Sequence, residues 1–210
     1  MSRNVIDLSY TVEHAMEVFP ADPPVGILKH HCYKNGYFVS QIIMGTHSGT
    51  HVDAPVHKLP ETRSITDLKV EQYIGWQTAV LDFTGHEGEI TRADCLKYED
   101  MLDACDAVIF KTGWEKKFGT AVFFQDYGGL HEEVALLLEE KGIHLIGLET
   151  PSVHPVRHEE VHEELLKRNI LIVESLAHVS AITKPVVELH AVPLKLKNLD
   201  GSPVRAYALE

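Results

Sequence analysis

Between residues 37 and 110 the apolar positions fall into short runs. YFVSQII (37–43), WQTAVLDF (76–83) and AVIF (107–110) are rich in β-branched and aromatic side chains, and this predicts strands. The last two are closed by turn residues and read as buried. Further along, the spacing lengthens. In LHEEVALLLEEK (130–141), Leu130, Val134, Leu137 and Leu138 share one face of a helix that stops at Gly142, and IHLIGL (143–148) reads as the strand that follows. The pattern returns in VHEELLKRN (161–169) and ILIVESL (170–176). A helix leading into a buried strand, twice over, predicts an α/β fold. Residues 91–101 have helical character with Thr91 as the cap, and the prolines of 19–24 predict an irregular loop. No repeat or linker interrupts the chain, so a single domain over 1–210 is expected.

Composition narrows the partners. The 210 residues are 44% hydrophobic and 24% charged, enough for one sizeable core. With 19 Lys and Arg against 31 Asp and Glu, the formal charge of -12 opposes binding to nucleic acid or an anionic membrane. The opening MSRNVIDLSY has no long apolar run behind its basic residue, and nowhere do about eighteen apolar residues run together. Cys32, Cys95 and Cys105 are odd in number and widely spaced, which argues against a disulfide framework. A cytoplasmic protein is expected.

The 14 histidines are the compositional oddity, and their positions give them meaning. His47, His51, Asp53 and His57 place four nitrogen and oxygen donors within eleven residues, a set suited to Zn²⁺ and, beside a carboxylate, to Mn²⁺. Ligands of one ion must bring their donor atoms within roughly 4 Å of each other, whereas a straight strand would hold the Cα atoms of His47 and His51 about 13 Å apart. Gly49, midway between them, is free to fold the chain back. Asp53 lies two residues after His51, so an extended stretch projects both to one face, where a carboxylate could bridge two ions. A polar loop of solvated histidines, or a purely structural ion, is the plainer alternative.

A second pair of donors lies downstream. Glu159, Glu160, Glu163, Glu164 and Lys167 occupy one side of their helix, so His162 points inward with Leu165 and Leu166 on either side. Alternation on the next strand puts Glu174 with Ile170, Ile172 and Leu176, a carboxylate among aliphatic side chains. Burying it unpaired costs several kcal/mol, and a cation would remove that cost. His158, one turn before His162, is a further candidate.

At these residues the chain resembles the cyclase-like family of metal-dependent hydrolases, which includes bacterial kynurenine formamidase and isatin hydrolase. The resemblance rests on His47-Ser-Gly-Thr-His51-Val-Asp53-Ala-Pro55-Val-His57, with His162-Glu-Glu-Leu-Leu and Ile172-Val-Glu174-Ser-Leu. It extends to Lys111-Thr-Gly-Trp114, Tyr127-Gly-Gly-Leu130, Ile146-Gly-Leu-Glu-Thr-Pro-Ser152, Pro193-Leu-Lys195 and Asp200-Gly-Ser-Pro-Val-Arg205. It implies a swivelling β/β/α fold, a homodimer or higher oligomer, and one or two divalent ions, zinc first and manganese second. By motif, His47, His51 and Asp53 would hold one ion and Asp53, His162 and Glu174 the other, with His57 beside them as the proton-transfer residue. Two departures bear on the substrate: Glu149-Thr-Pro-Ser152-Val-His154 stands where relatives often read Asp-Thr-x-Ser-x-Asp, and Lys111 replaces the usual Arg.

The reaction this implies is attack of a cation-acidified water on an amide or lactam carbonyl, with His57 carrying the proton to the departing nitrogen. The substrates expected are N-formylkynurenine or a related aryl formamide, with an isatin-like lactam or another cyclase-family reaction as the alternative. A non-catalytic metal or small-ligand binding protein ranks lower, since a pure binding site needs no extra base. A covalent nucleophile ranks lower still: no Gly-x-Ser-x-Gly elbow is present, and no cysteine lies near the histidine cluster in sequence.

Overall fold

Four of the apolar runs become neighbouring strands of one sheet. The computed structural model describes residues 4–210; residues 1–3, at the head of the stretch read for a leader, lie outside the described residues. In chain order the elements are β1 (Val5–Asp7), β2 (Gly26–His31), β3 (Val39–Ile43), β4 (His51–Asp53), β5 (Trp76–Asp82), α1 (Arg92–Cys95) and α2 (Glu99–Leu102). There follow β6 (Ala107–Lys111), α3 (Glu133–Glu140), β7 (Leu145–Leu148), α4 (His158–Leu166), β8 (Leu171–Glu174), β9 (Val186–Pro193) and β10 (Gly201–Leu209).

β5, β6, β7 and β8 run parallel, as strands joined by crossover helices must. β9 pairs antiparallel with β5 on one side and β10 on the other, and β10 pairs with β4, which pairs with β8. Seven strands therefore close into a ring. β1 lies along β10 beyond the end of β4. Period-two alternation splits the apolar residues between two cores. Leu81, Phe110, Ile146 and Ile172 face α3 and α4, while Val52, Ile109, Leu145, Val173 and Ala206 face the space the ring encloses.

Local departures from the sequence pattern have identifiable causes. The helix expected over 91–101 is broken: Thr91 and Asp94 form a reciprocal capping box, but Leu96–Tyr98 tightens to a 3₁₀ turn before α2. Leu130 is buried as expected yet precedes α3, because its segment forms a bridge with Ile90 and donates from its amide to Val153. Leu176 falls into the other core from Ile172, since Ser175 takes φ 57° and ends the alternation of β8. The run 37–43 supplies β3, which among the described residues pairs only with β2, in a separate two-stranded sheet. Among the described residues no helix is long and apolar enough to cross a membrane.

Candidate metal centre

Strand register builds the centre. β4 and β8 are paired so that His51 lies opposite Glu174 and Asp53 opposite Ile172. Val52 and Val173 turn into the enclosed core, so His51, Asp53 and Glu174 turn the other way, toward α4. His162, buried on α4, meets them. Its Nε2 lies 3.3 Å from Asp53 Oδ2 and 3.2 Å from Glu174 Oε1. His51 Nε2 lies 3.3 Å from Glu174 Oε2 and 3.5 Å from Asp53 Oδ1.

The bend expected between His47 and His51 is made at Gly49, where φ is +65°. Thr50 pins it: its hydroxyl donates to the Ser175 carbonyl at 2.6 Å and accepts from the Tyr10 amide at 3.0 Å. The chain reversal brings His47 Nδ1 to 2.9 Å from Asp53 Oδ1. Pro55 opens a 3₁₀ turn, Pro55–His57, which brings the His57 ring within 4.2 Å of the His47 ring. All six side chains singled out in the sequence thus converge. His158 lies beside them in the wall of the same cavity.

Ligand atoms of His47, Asp53 and His57 come within 4.8 Å of one another, as do those of His51, Asp53 and Glu174. Asp53 belongs to both groups. His57, expected to stand apart from the ligands, is thereby near enough to join them. His51 and His162 are each oriented by their other ring nitrogen, which pairs with a backbone carbonyl: Nδ1 of His51 with Gly49 at 2.8 Å, and Nδ1 of His162 with His158 at 2.6 Å. This turns both Nε2 atoms toward the carboxylates.

The donor set fits a divalent cation. His51 Nε2, both Asp53 oxygens and Glu174 Oε1 are buried without a hydrogen-bond partner, and a buried carboxylate left so is expensive. Burial opposes charge on His47, yet the Asp53 and Asp200 carboxylates outweigh it and push its pKa up to about 10. For His162, burial is likewise outweighed by Asp53 and Glu174, and its pKa is also pushed up to about 10. Burial alone would raise the Asp53 carboxyl, but His47 and His162 hold it well below the usual range. Positive charge is thus favoured at the point where these groups meet, and a bound cation would supply it while displacing protons.

Asp200, legible in the sequence only as part of a matching stretch, lies at the centre as well. Its Oδ2 lies 2.8 Å from His47 Nε2 and 3.6 Å from His57 Nδ1, and its Oδ1 accepts from the Thr46 hydroxyl. Asp-Gly reads as an ordinary turn; pairing of Gly201 with Asp53 brings it to the site. A cavity of about 160 Å³ opens over the donors, with Phe19, Asp22, Lys58, Pro151, Ser152 and His158 around them. Of the residues that depart from the family pattern, Glu149, His154 and Lys111, none lines this cavity, although Pro151 and Ser152, between the first two, do. Glu149 Oε2 accepts from the Thr112 amide and hydroxyl and the Trp114 amide at 2.7–2.9 Å, and burial pushes its carboxyl up. Lys111 approaches Asp82 at 3.9 Å.

Comparison with known proteins agrees with this geometry. The family model described as "Putative cyclase" matches residues 6–155. A kynurenine formamidase of Bacillus anthracis is 32% identical over 206 residues, spanning 96% of this chain and 95% of the relative. One of Geobacillus thermodenitrificans is 31% identical over 205 residues, with the same coverage. Among solved structures, an isatin hydrolase bound to the product analogue thioisatinate superposes with a TM-score of 0.90 at 22% identity, covering 99% of this chain and 92% of that one. Isatin hydrolase A from Labrenzia aggregata superposes with a TM-score of 0.87 at 24% identity, covering 99% and 93%. At that identity the superpositions speak for the fold. The relatives and the family match go further, and by them the chain belongs to the cyclase-like family of metal-dependent hydrolases.

Proposed function

We propose that the chain is an arylformamidase-type amide hydrolase that cleaves N-formylkynurenine or a related aryl formamide to formate and an arylamine. The observation that carries the reading is the convergence of six donors with orphaned, buried polar atoms beneath a small cavity. His47, His51, Asp53, His162 and Glu174 would hold the metal, and the sharing of Asp53 between two groups of donors supports two ions. Nitrogen and oxygen donors favour Zn²⁺, with Mn²⁺ second. When bound, the metal supplies a Lewis acid that polarises the carbonyl and acidifies water.

His57 lines the cavity with Asp200 behind its Nδ1, so it is placed to take a proton from the attacking water. It then returns that proton to the departing nitrogen as the C–N bond breaks. The small formyl carbon suits a confined cavity. Ring opening of an isatin-like lactam would use the same attack, but the cavity wall favours a charged substrate. Asp22 and Lys58 both line it, and neither has an ion-pair or side-chain hydrogen-bond partner among the described residues. Together they suit the ammonium and carboxylate of an amino-acid side arm.

A homodimer is part of this reading. An isolated two-stranded hairpin is marginal in water. The β2–β3 sheet nevertheless exposes Leu28, Tyr33, Tyr37, Phe38, Ile42 and Ile43. Residues 26–43 contain Lys29 and Lys34 and no acidic residue, so all 31 acidic residues lie on the rest of the chain. A second copy offers this arm a complementary surface. Free cysteines, two of them buried, support a reducing cytoplasmic setting.

The test is to strip the purified protein of metal, restore Zn²⁺ or Mn²⁺, and assay formate release from N-formylkynurenine beside ring opening of isatin. Formate release that is lost on stripping and recovered with metal is expected. Chelator-insensitive turnover would overturn the metal reading, and activity on isatin alone would overturn the substrate.

A further inference from the structure

α4 carries His162 in its second turn, so the entry of the chain into α4 decides where the imidazole points. The first amides of a helix have no partner within it and need acceptors from outside. Arg157, at the helix start, supplies no capping side chain. His154 instead holds the turn that leads into the helix: its Nδ1 accepts from the Val156 amide at 3.0 Å and, at 2.8 Å, from the amide of Arg157, the residue at the N-cap. Two backbone donors on one nitrogen require it to be bare, which puts the ring proton on Nε2. That nitrogen lies 3.1 Å from Glu89 Oε1.

The ring is held on every side. Glu89 turns its other oxygen to the Arg157 guanidinium at 2.5 Å, and Arg157 also pairs with Glu132. The imidazole packs against Gly129, where a Cβ would stand 2.4 Å from His154 Cδ2 and 2.8 Å from its Cα. Gly129 cannot retreat: its carbonyl accepts from the Ile90 amide at 2.8 Å, and the next amide, Leu130, donates to Val153 at 2.8 Å. Tyr127-Gly-Gly-Leu130 therefore supplies the bare backbone on which this buried histidine rests.

From there the connection to the donors is short. His158 opens α4, and its carbonyl pairs with His162 Nδ1 at 2.6 Å, leaving His162 Nε2 toward Asp53 and Glu174. We propose that His154 is a positioning residue: by holding the turn into α4 it fixes the His158 carbonyl and thereby aims His162 Nε2 at the metal centre. This rests on the reading of His162 as a metal ligand.

The test uses the full chain stripped of metal and Zn²⁺ titrated against a chromophoric chelator, with unfolding midpoints of the stripped protein recorded in parallel. His154→Phe keeps a ring on Gly129 but removes both nitrogens, and loss of a group that orients a ligand lowers affinity by about 10–100-fold. His154→Asn keeps an acceptor at the position of Nδ1 and should bind Zn²⁺ within about threefold of wild type, less than the loss expected when the orienting group is gone. Wild-type affinity in His154→Phe, even with a lowered unfolding midpoint, would leave His154 a purely structural role and overturn the proposal. So would equal losses in the two variants. If His154→Phe does not fold, His154→Ala, which also lacks an acceptor and presses on nothing at Gly129, replaces it: Zn²⁺ affinity should again fall by about 10–100-fold, and unchanged affinity would overturn the proposal. Wild-type protein that binds no Zn²⁺ would instead overturn the metal reading itself.

Discussion

Replacing Asp53 with Asn tests the centre at its shared point. The substitution conserves volume but removes a buried charge and one of two acceptor oxygens, and Asp53 belongs to both groups of donors. With free Zn²⁺ at a hundred times its dissociation constant, the wild type gains about 2.7 kcal/mol from linkage. For a chain of this size each kcal/mol moves the thermal midpoint by about 2–4 °C, so the expected rise is roughly 5–11 °C. Asp53→Asn should show no measurable rise at the same Zn²⁺ concentration. His57→Ala removes a donor from one group and leaves His51, Asp53 and Glu174 intact, so it should keep much of the rise. Scanning fluorimetry of chelator-stripped protein with and without Zn²⁺ reads both. A wild-type shift in Asp53→Asn would refute the idea that this carboxylate joins the two donor groups.

Lys58→Met should raise KM for N-formylkynurenine roughly 10- to 100-fold, the loss of one charged hydrogen bond. It should leave KM for uncharged formanilide unchanged; equal effects on both would remove Lys58 from substrate recognition. Gly201→Ala places a Cβ 2.7 Å from His47 Cε1 and 3.1 Å from the Val52 carbonyl, so it should destabilise the stripped protein by about 1–3 kcal/mol and weaken Zn²⁺ binding. Unchanged affinity by titration would refute the contact. Burial raises the Glu149 carboxyl, so the native state holds its proton at a pH where the unfolded chain has lost it. Stability from this group therefore falls as pH rises above its ordinary range. The stability of the wild type relative to Glu149→Gln should fall in that window, by urea unfolding of stripped protein at several pH values; a flat or rising difference would refute it.

What the sequence made legible follows from the range of the forces involved. Strands β5, β6, β7 and β8 are buried in a parallel sheet and carry dense apolar runs, which are visible locally. β9 and β10 alternate buried and half-exposed positions, and they acquire their role only by closing the ring between β5 and β4. Nothing local announces that closure. The donors show the same division. His47, His51, Asp53 and His57 are clustered in sequence, and Gly49 marks the bend that gathers them. Asp200 lies 153 residues from its partner His47, so only the closed ring brings them together. His154 stands out in the sequence only as a departure from the family pattern, and its acceptor role in the turn into α4 emerges from contacts made in the fold.

Placement of the donors and burial of the core depend on one register. Along β4 and β8, Val52 and Val173 enter the enclosed core while His51, Asp53 and Glu174 face α4. A slip of one residue in β4 would send His51 and Asp53 into the apolar core and bring Val52 beneath His162. That would bury unpaired polar groups while withdrawing apolar ones, two penalties of the same sign. The carboxylates therefore help to reject the wrong register before any cation arrives. The correct register in turn leaves those carboxylates buried together, a strain that His47 and His162 relieve only by carrying charge. The fold specifies the centre, and the centre discriminates against the nearest misfold.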